Sequence, residues 1–281
     1  VRNTTHSSYR IKACDLILAF GEQLHDEAKF DRCLPYLINM LDDPSENVQI
    51  SALCCLTQLL MMVDTITPIN IHVFTEYLVP KLQLFLKRSY IVSSRDNNSL
   101  SSSKYLNKSQ QFNSLNNPKS LDNFGGSYVR MVFACCLPHL AMTAKKFYEL
   151  SIILKTSAGA YHDPDTDSLI INDRDRNEVE FDEIIQSFEH LTIQILTDSN
   201  IYVRIALMRN IRPLCFFFGK DKTNDVILSH LITYLNDKNP QIKLAFISSI
   251  VPVSIFVGVT GLEQYILPLL VQALYGPQET I

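Results

Sequence analysis

Apolar side chains recur along much of the chain with the spacing of one face of an α-helix. In residues 30–41 they fall at i, i+3, i+4, i+7, i+8 and i+11, and a second such series runs from 48 to 63. The polar turn 42–44 separates the two series, and it predicts Asp43 as a helix cap and Pro44 as the first helical residue. The pattern therefore predicts two antiparallel helices joined by a short turn.

The same succession of a first and a second helix recurs further along the chain. The later segments with this plan are 184–196 with 202–218, and 226–235 with 241–257. Residues 9–24 have the pattern of a second helix, and residues 262–274 have that of a first helix. We therefore expect an all-α protein, in which residues 1–281 form a single α-solenoid of about five helix pairs with incomplete ends.

A short phrase at the start of each predicted second helix gives the period. A β-branched or aromatic residue is followed by Gln, Arg or Lys and then by a small residue within an apolar run. The copies are Tyr9-Arg10, Val48-Gln49, Val129-Arg130, Val203-Arg204 and Ile242-Lys243. The first two copies are 39 residues apart, and so are the last two. A period near 40 residues is typical of stacked helix pairs.

Prolines recur at related positions. Pro35, Pro80 and Pro268 lie in predicted first helices, and Pro138, Pro213 and Pro252 lie in predicted second helices. Because an interior proline removes a backbone hydrogen bond and bends a helix, this recurrence predicts curvature in each layer of the solenoid.

Two segments interrupt the period. Residues 91–126 contain nine serines and seven asparagines with few large apolar side chains, which predicts a disordered insertion between the two helices of one pair. Residues 155–180 are rich in acidic side chains, and we expect an exposed acidic loop there. The longer segment 163–189 holds ten acidic residues against Arg174 and Arg176, so we expect it to provide contact surface for a partner.

Composition narrows the class of protein. Hydrophobic residues make up 47% of the chain and charged residues 19%, which is enough apolar material for a continuous core. The net charge of −4 argues against a nucleic-acid partner. Seven cysteines include the adjacent pairs 54–55 and 135–136. Because neighbouring helix positions point about 100° apart, these pairs are predicted to pack as free thiols in a reducing cytosol rather than to bind metal or join each other.

One stretch imitates a membrane span. Residues 244–262 contain no charge over 19 positions, a length that can cross a bilayer. The stretch also contains Pro252, Gly258 and Gly261 and begins at a copy of the repeated phrase. Of the two interpretations, a buried helix followed by a turn is favoured over a membrane span.

Candidate chemistry is sparse. Asp163, Asp165 and Asp167 have the spacing of the first EF-hand ligands, but the sixth position is Ser168 and the twelfth is Arg174, so a solvated acidic loop is favoured. The four histidines considered as ligands or bases are scattered: His139, His162, His190 and His230. Ser229 is predicted not to reach the adjacent imidazole as a nucleophile would. The sequence therefore predicts no catalytic, cofactor-binding or metal-binding residues, no cofactor and no enzyme activity in this segment.

The recurring cations have two interpretations. In the first, each cation pairs with an aspartate of its own or the neighbouring turn and forms a ladder of exposed ion pairs. In the second, the cations form a basic stripe for acidic partners or phospholipid head groups. The ladder is favoured because Gln49 interrupts the stripe and each cation has acidic residues nearby. Exposed pairs of this kind contribute only ~0–1 kcal/mol each.

The repeated Leu-x-Asp, followed by Val or Ile with Arg or Lys, resembles a HEAT repeat. Within that class, residues 215–239 resemble the HEAT region of the regulatory, protein-kinase-like subunit of the class III phosphatidylinositol 3-kinase complex, which acts in vacuolar protein sorting and autophagy. Residues 74–82 and 266–274 are similar to that family as well. The resemblance covers most of the chain except 91–126.

The resemblance implies a scaffold that links a kinase-like domain to a WD-repeat domain. It implies as partners the lipid kinase catalytic subunit and the coiled-coil, beclin-like subunits of the complex. It also implies a cytoplasmic protein that lies peripherally on endosomal, vacuolar or autophagic membranes and reaches them through the complex. No H-R-D or D-F-G kinase motif occurs in these residues. The alternative is a HEAT-repeat adaptor of another class, such as a phosphatase scaffold or a transport receptor.

Overall fold

The structure, a computed structural model, describes residues 4–101, 126–159, 167–268 and 270–271. The regular elements within these residues are all helical, so the predicted all-α class is confirmed. The α-helices are α1 (Ser7–Gly21), α2 (Asp26–Ala28), α3 (Leu34–Met40), α4 (Glu46–Met61), α5 (Val79–Ser101), α6 (Ser127–Gly159), α7 (Asp167–Leu196), α8 (Ile201–Arg209), α9 (Ile211–Lys222), α10 (Ser229–Thr233) and α11 (Pro240–Gly261).

The helices form consecutive pairs that stack side by side. Pair 1 is α2 and α3 with α4, pair 2 is α5 with α6, pair 3 is α7 with α8 and α9, and pair 4 is α10 with α11. The second helices contact one another in chain order, from α1 through α4, α6 and α8–α9 to α11. A single cluster of buried apolar side chains runs from Cys14 to Ile266. Neighbouring pairs therefore share one continuous core, as in an α-solenoid, and the count of about five repeats stays a prediction.

Within the described residues, a π-helical segment lies directly before α3, α5 and α10, and another follows α11. The π-helical segments are Lys29–Cys33, Val73–Leu78, Thr223–Leu228 and Leu262–Ile266. Pro35, Pro80 and Pro268 each lie two residues after one of them. A proline ring clashes with the carbonyl four residues earlier in an α-helix, and the wider π turn places that carbonyl differently. The bends predicted at these three prolines are therefore accompanied by π turns.

Two glycines end the regular part of second helices at equivalent positions. Gly219 has φ 72° and ψ −171°, and Gly258 has φ 83° and ψ 170°. Only glycine adopts this region without strain. Gly219 has a positive φ, but its ψ lies far from the left-handed helical value, so it does not form a left-handed helical cap. The two glycines are 39 residues apart and extend the repeat beyond the phrase seen in the sequence.

The predicted insertion at 91–126 is helical at its beginning. Helix α5 continues to Ser101, so residues 91–101 belong to a helix, whereas residues 102–125 lie outside the described residues. Extending an existing helix costs far less than nucleating one, so a polar tail can remain helical after an apolar start.

The predicted acidic loop at 155–180 is wrong for most of its length. Helix α6 extends to Gly159 and α7 begins at Asp167, while residues 160–166 lie outside the described residues. Acidic composition indicated exposure correctly for Glu178 but did not exclude a helix. Glutamate and arginine are good helix formers, and a charged helix face is stable in water.

Helix α11 is long and apolar enough to span a membrane by length and composition. An 18-residue window within Pro240–Ile266 has a mean hydropathy of 2.1, and a third of that window (33%) is buried within the protein. The backbone leaves helical geometry at Gly258, where the favoured interpretation placed a turn. One side of α11 packs into the core through Ile242, Phe246 and Val253, and the opposite side, with Val251, is exposed.

Candidate interaction surfaces and the ion pairs that hold them

The first ion pair between repeats joins α1 to the turn before α4. Arg10 Nε lies 2.7 Å from Asp43 Oδ2, and Arg10 Nη2 lies 2.9 Å from Asp43 Oδ1. Arg10 Nη1 donates to the carbonyl of Thr4 at 2.7 Å. The side chains of Arg10 and Asp43 are only 11% and 8% exposed. This geometry is the two-pronged arginine–carboxylate contact, the strongest form of a protein ion pair.

The second ion pair joins α6 to the turn before α8 and is fully buried. Arg130 Nε donates to Asp198 Oδ2 at 2.7 Å, and Arg130 Nη1 donates to the Ser89 carbonyl at 3.2 Å. The side chains of Arg130 and Asp198 are 2% and 0% exposed. The guanidinium also stacks 4.5 Å from the ring centroid of Tyr90. Burial, together with a hydrogen bond to the Asp198 carboxylate, raises the pKa of Tyr90 well above its usual range.

The third ion pair joins α8 to the turn before α11 and is looser. Arg204 Nη2 lies 3.6 Å from Asp237 Oδ2, and the two side chains are 18% and 24% exposed. The guanidinium lies 5.4 Å from the ring centroid of Tyr234. Among the described residues, Arg204 Nε is buried without a hydrogen-bond partner.

Each of the three aspartates also organises the turn in which it lies. Asp43, Asp198 and Asp237 accept the backbone N–H two residues later, at 2.9, 2.7 and 2.8 Å. Asn200 and Asn239 then cap the following helices, because their side chains accept the N–H of Tyr202 and Gln241. In pair 1 the cap is Ser45 and α4 begins at Glu46, so the prediction that Pro44 is the first helical residue is wrong.

These contacts decide between the two interpretations of the recurring cations. Arg10 and Arg130 are buried and paired, so the basic stripe is wrong for them and the ladder is confirmed. Each arginine pairs with the aspartate of the following turn, and Arg204 does not pair with Asp198 six residues before it. The expectation that the pairs are exposed is wrong, because a side chain between two stacked second helices is covered by both. Removing one partner of a buried pair costs ~3–5 kcal/mol, against ~0–1 kcal/mol at the surface.

Two copies of the phrase, those with Gln49 and Lys243, form no ion pair with a neighbouring turn among the described residues. Gln49 donates through Nε2 to the carbonyl of Asp43 in its own turn at 2.6 Å. At the junction between pairs 1 and 2, the contacts to the turns include the Gly126 N–H to Glu46 Oε1 at 3.0 Å and the exposed Lys81–Asp42 and Arg88–Asp42 pairs. The junction between pairs 1 and 2 is therefore held without a buried ion pair at the phrase. Lys243, the last copy, is exposed.

The residues considered for catalysis or metal binding do not assemble in the described part of the chain. Asp163, Asp165 and His162 lie outside it, as does the side chain of Asp167. Among the described residues, no group of three or more His, Cys, Asp or Glu side chains is placed to hold a metal ion.

Ser229 and His230 do approach each other, contrary to the prediction. Ser229 Oγ lies 3.2 Å from His230 Nδ1. The hydroxyl donates to the Asp225 carbonyl at 2.5 Å, and His230 Nδ1 lies 2.7 Å from the Val226 carbonyl. An imidazole nitrogen that donates to a carbonyl carries a proton and cannot accept one from the serine. The contact therefore satisfies two polar groups at a helix start and is not a nucleophile–base pair.

An acidic surface lies on α7. Glu178, Asp182 and Glu183 are exposed, and among the described residues none of the three forms an ion pair. Phe181 stacks on Tyr148 of α6 with ring centroids 4.0 Å apart. Burial and the neighbouring carboxylates raise the pKa of Tyr148. The stacking anchors this part of α7 to the core, so its acidic side chains are held in place. These three residues are called the acidic face below.

A basic surface lies on α8 and α9. Arg209, Arg212 and Lys220 are exposed, and within the described ranges none of them takes part in an ion pair. Phe216 lies between them and is 50% exposed. Lys145 of α6 places its Nζ 4.5 Å from the Phe216 ring centroid. Arg212 and Phe216 lie four residues apart on one face of α9, whereas Arg209 ends α8 and Lys220 follows the break in helical geometry at Gly219. This basic stripe consists of residues other than the predicted cations, and the sequence analysis missed it.

Comparison with known proteins identifies the family. A family model described as PIK3R4-like, middle domain, matches residues 1–281. The chain is 47% identical over 236 residues to the putative serine/threonine-protein kinase VPS15 of Komagataella pastoris, a match that covers 84% of the chain and 13% of that relative. It is 34% identical over 233 residues to the serine/threonine-protein kinase VPS15 of Saccharomyces cerevisiae, covering 83% of the chain and 13% of the relative.

The serine/threonine-protein kinase vps15 of Schizosaccharomyces pombe is 35% identical over 234 residues, which cover 82% of the chain and 12% of that protein. The chain thus spans only 12–13% of the length of these three relatives. The chain belongs to the PIK3R4-like middle-domain family, which confirms its resemblance to the HEAT-repeat region of the regulatory subunit of the class III phosphatidylinositol 3-kinase complex.

Proposed function

We propose that this segment is a non-catalytic scaffold in the regulatory subunit of a class III phosphatidylinositol 3-kinase complex. It links a kinase-like domain to a WD-repeat domain and docks partner subunits in endosomal sorting and autophagy. The observation that carries the proposal is the continuous core, which is crossed by ion pairs between successive helix pairs. Such a stack keeps distant surfaces at fixed separations, which is what a subunit that positions other subunits requires.

Two surfaces of opposite charge supply the contacts. The acidic face lies on the first helix of pair 3, and the basic stripe lies on the second helices of the same pair. Their unpaired charges are available to a partner, whereas the buried arginines are not. The lipid kinase catalytic subunit and a coiled-coil, beclin-like subunit are the proposed partners. The same proposal places the protein in the cytoplasm, peripherally on the membrane. It contacts the membrane through the complex and not through this segment, and no nucleic-acid partner is proposed.

The test is recovery of the lipid kinase catalytic subunit with the full-length regulatory subunit. A variant with Glu178→Lys, Asp182→Lys and Glu183→Lys reverses the acidic face, and we expect it to recover less of the kinase subunit. The matched control reverses three exposed acidic residues of pair 1 and its approach, namely Glu22→Lys, Glu27→Lys and Asp31→Lys. Unchanged recovery with the first variant, or the same loss with both, would contradict docking through the acidic face.

A further inference from the structure

Helix α11 exposes a row of apolar side chains beside the basic stripe. Val251, Ile255 and Val259 are 66%, 68% and 71% exposed, and they are called the apolar row below. Val251 and Ile255 lie four residues apart on one face of α11, and Val259 follows the break in helical geometry at Gly258. The charged residue of α11 is Lys243, so no charge interrupts the row. A contiguous exposed apolar surface of this kind marks an interaction site.

The 39-residue period shows that a further helix pair stacked on α11 would leave this row uncovered. The counterparts of the three residues, 39 positions earlier, are Arg212, Phe216 and Lys220. The break at Gly219 matches the break at Gly258, so the residues after the breaks correspond as well. All three counterparts remain exposed although α11 packs directly against α9. Their position on a second helix therefore faces solvent inside the stack.

Two other apolar residues of α11 behave differently. Leu244 and Ile247 are exposed, but their counterparts Ile205 and Met208 are only 7% and 1% exposed. The start of α8 has a following helix pair beside it, and the start of α11 has none within the described residues. Stacking of a further pair thus accounts for the exposure of Leu244 and Ile247, whereas the apolar row needs another partner.

The basic stripe and the apolar row are neighbours on one surface. Phe216 meets Phe256 of α11 edge to face, with ring centroids 6.4 Å apart. The side chain of Lys220 also reaches α11, because a methyl group added to Gly258 would lie 3.2 Å from Lys220 Cε. Lys145 Nζ donates to the Phe216 carbonyl at 3.3 Å and lies over its ring. Cations on α6 and α9 therefore border the apolar side chains of α11.

The charge of this surface is one-sided. Helices α8, α9 and α11, which the structure describes throughout, contain six cationic residues against one acidic residue, Asp221. The cations of the basic stripe form no ion pair with another described residue. Their charges are not neutralised within the protein, so a partner with carboxylates is complementary to them.

The geometry favours a helix over a membrane as the occupant. Residues four positions apart on two adjacent helices form two neighbouring rows, and a helix that lies along them can present apolar side chains to one row and carboxylates to the other. An anionic membrane would extend past the ends of the rows. Asp221 and Glu263 are exposed just beyond those ends in the sequence and would repel its head groups.

We propose that the basic stripe and the apolar row together form the docking site of an acidic amphipathic helix of a partner subunit. The inference rests on the proposed scaffold function and names the kind of partner that its basic surface takes. Apolar side chains of the partner pack on Val251, Ile255 and Phe216, and its carboxylates pair with Arg212 and Lys220. Burial of the apolar contacts supplies most of the affinity, and the ion pairs fix the direction of the helix and speed its association.

The experiment measures binding of a fluorescein-labelled synthetic helix to the full-length regulatory subunit by fluorescence anisotropy. The probe has about 18 residues, or about five turns, with Leu at i, i+4, i+7 and i+11 and Glu at the positions beside them. One control peptide has the same composition in scrambled order, and a second has Lys in place of Glu. We expect the probe to bind at least about tenfold more tightly than either control and to weaken as salt is added. Equal affinities for the three peptides would overturn the proposal.

Two double variants test the two halves of the site. Val251→Ser with Ile255→Ser should weaken binding of the probe about tenfold and leave its salt dependence unchanged. Arg212→Glu with Lys220→Glu should weaken it at least as much and remove most of the salt dependence. All four side chains are exposed, and circular dichroism checks that the fold is kept. Unchanged affinity in either variant contradicts the proposed site.

Matched control variants change the same kinds of residue elsewhere. Tyr36→Ser with Tyr77→Ser removes exposed apolar side chains from the first helices of pairs 1 and 2 and the π-helical segments before them, and Arg32→Glu with Lys87→Glu reverses exposed cations there. Both controls should bind the probe as the unsubstituted protein does. An equal loss in a control variant would show that binding is not specific to this surface.

Vesicles of phosphatidylcholine and phosphatidylserine test the membrane as the occupant. Sedimentation of the full-length regulatory subunit with these vesicles should be the same for the unsubstituted protein and for both site variants. Reduced sedimentation of the site variants together with unchanged binding of the probe would overturn the proposal in favour of a lipid surface.

The probe assay contains no lipid kinase subunit, so its outcome is separate from that of the recovery experiment for the proposed function. Failure of the probe to bind, with recovery still lowered by reversal of the acidic face, would overturn this site and leave the scaffold function standing. Binding of the probe with unchanged recovery would support this site and contradict docking through the acidic face.

Discussion

The Arg130–Asp198 and Arg204–Asp237 ion pairs occupy equivalent positions in successive repeats but lie in different surroundings. The first has a 2.7 Å contact with side chains 2% and 0% exposed, and the second has a 3.6 Å contact with side chains 18% and 24% exposed. The residue types are the same, so the difference comes from what covers each pair. Tyr90, Ser89 and Gly126 enclose Arg130, whereas the guanidinium of Arg204 has a buried Nε without a partner among the described residues.

The same repeated phrase therefore does not imply that each ion pair contributes the same free energy to stability. An ion pair that is out of contact with water is costly to break, because the remaining charge stays in a medium of low polarity. An ion pair that water reaches is weakened by solvent and contributes little. We therefore expect the same substitution to have effects of different size in the two pairs.

Replacing Arg130 by Met should have the largest effect. The substitution leaves the Asp198 carboxylate buried without a cation, and we expect the free energy of unfolding to fall by ~3–5 kcal/mol. Urea denaturation followed by circular dichroism measures the change. The double variant Arg130→Met with Asp198→Asn removes the buried charge but keeps the acceptor for the Asn200 N–H, so it should recover part of the loss. A loss below ~1 kcal/mol for the single variant would show that this ion pair contributes no more to stability than an exposed one.

Replacing Gly126 by Ala should disturb the same pair through the backbone. Gly126 has φ +68°, and a methyl group there would lie 2.2 Å from the Ser89 carbonyl oxygen. We expect a loss of ~1–3 kcal/mol from the backbone strain and the forced movement of Ser89. Gly219→Ala is the control, because its φ is +72° but a methyl group there meets no atom within 4 Å. Equal losses in the two variants would show that contact with Ser89 adds nothing to the strain.

Replacing Asp26 by Asn tests a carboxylate at the opposite end of pair 1. Asp26 accepts hydrogen bonds from Lys29 Nζ and from the Thr65 N–H, both at 2.8 Å. Burial alone would raise the pKa of Asp26, but the hydrogen bonds from Lys29 and Thr65 outweigh it and lower the pKa to about 2. The folded pKa lies below the unfolded value, so the stabilisation is present above about pH 4 and is lost as the pH falls through about 2.

We therefore expect Asp26→Asn to lower the free energy of unfolding by ~1–2 kcal/mol at neutral pH and to flatten its decrease between about pH 4 and pH 2. Urea denaturation at a series of pH values checks both parts. The exposed Asp15, which lies 3.5 Å from Lys12, supplies the control variant Asp15→Asn, for which we expect a loss of only ~0–1 kcal/mol. If the free energy of unfolding of Asp26→Asn fell with decreasing pH as steeply as that of the unsubstituted protein, the lowered pKa of Asp26 would be contradicted.

Replacing Arg204 by Met should have the smallest effect. The contact with Asp237 is long and partly exposed, and a methionine side chain can keep packing on the Tyr234 ring, so we expect a loss of ~0–1 kcal/mol. The same urea denaturation used for Arg130→Met measures it. A loss as large as that of Arg130→Met would remove the distinction between the two ion pairs.

Much of the local structure was predictable from residue spacing. The apolar series of 30–41 and 48–63 became the two helices of pair 1, and the 39-residue period reappears in the φ angles of Gly219 and Gly258. The acidic segment was less predictable, because its composition indicates exposure and says nothing about helix or loop. Residues 167–180 are helical although they were predicted as a loop.

The candidate surfaces were only partly predictable. The acidic face falls within the segment 163–189 that the sequence marked as contact surface. The basic stripe was not predictable from the repeated phrase, because its cations lie outside the phrase and the arginines of the phrase are covered between stacked helices. A signal was present in the sequence, since residues 209–220 contain three cations and no acidic residue.

The sequence by itself determined the helices, their order in pairs, the period and the family. These follow from the spacing of apolar residues over a few turns of helix and from the repetition of that spacing, and both can be read directly from the order of residues. Only the tertiary structure decided that Arg10 meets Asp43 and that Arg130 meets Asp198. Those partners lie on different helix pairs, and their contact depends on how far apart and at what level two helices stack. Burial by neighbouring helices then decides whether a pair of charges stabilises the fold or lies in water.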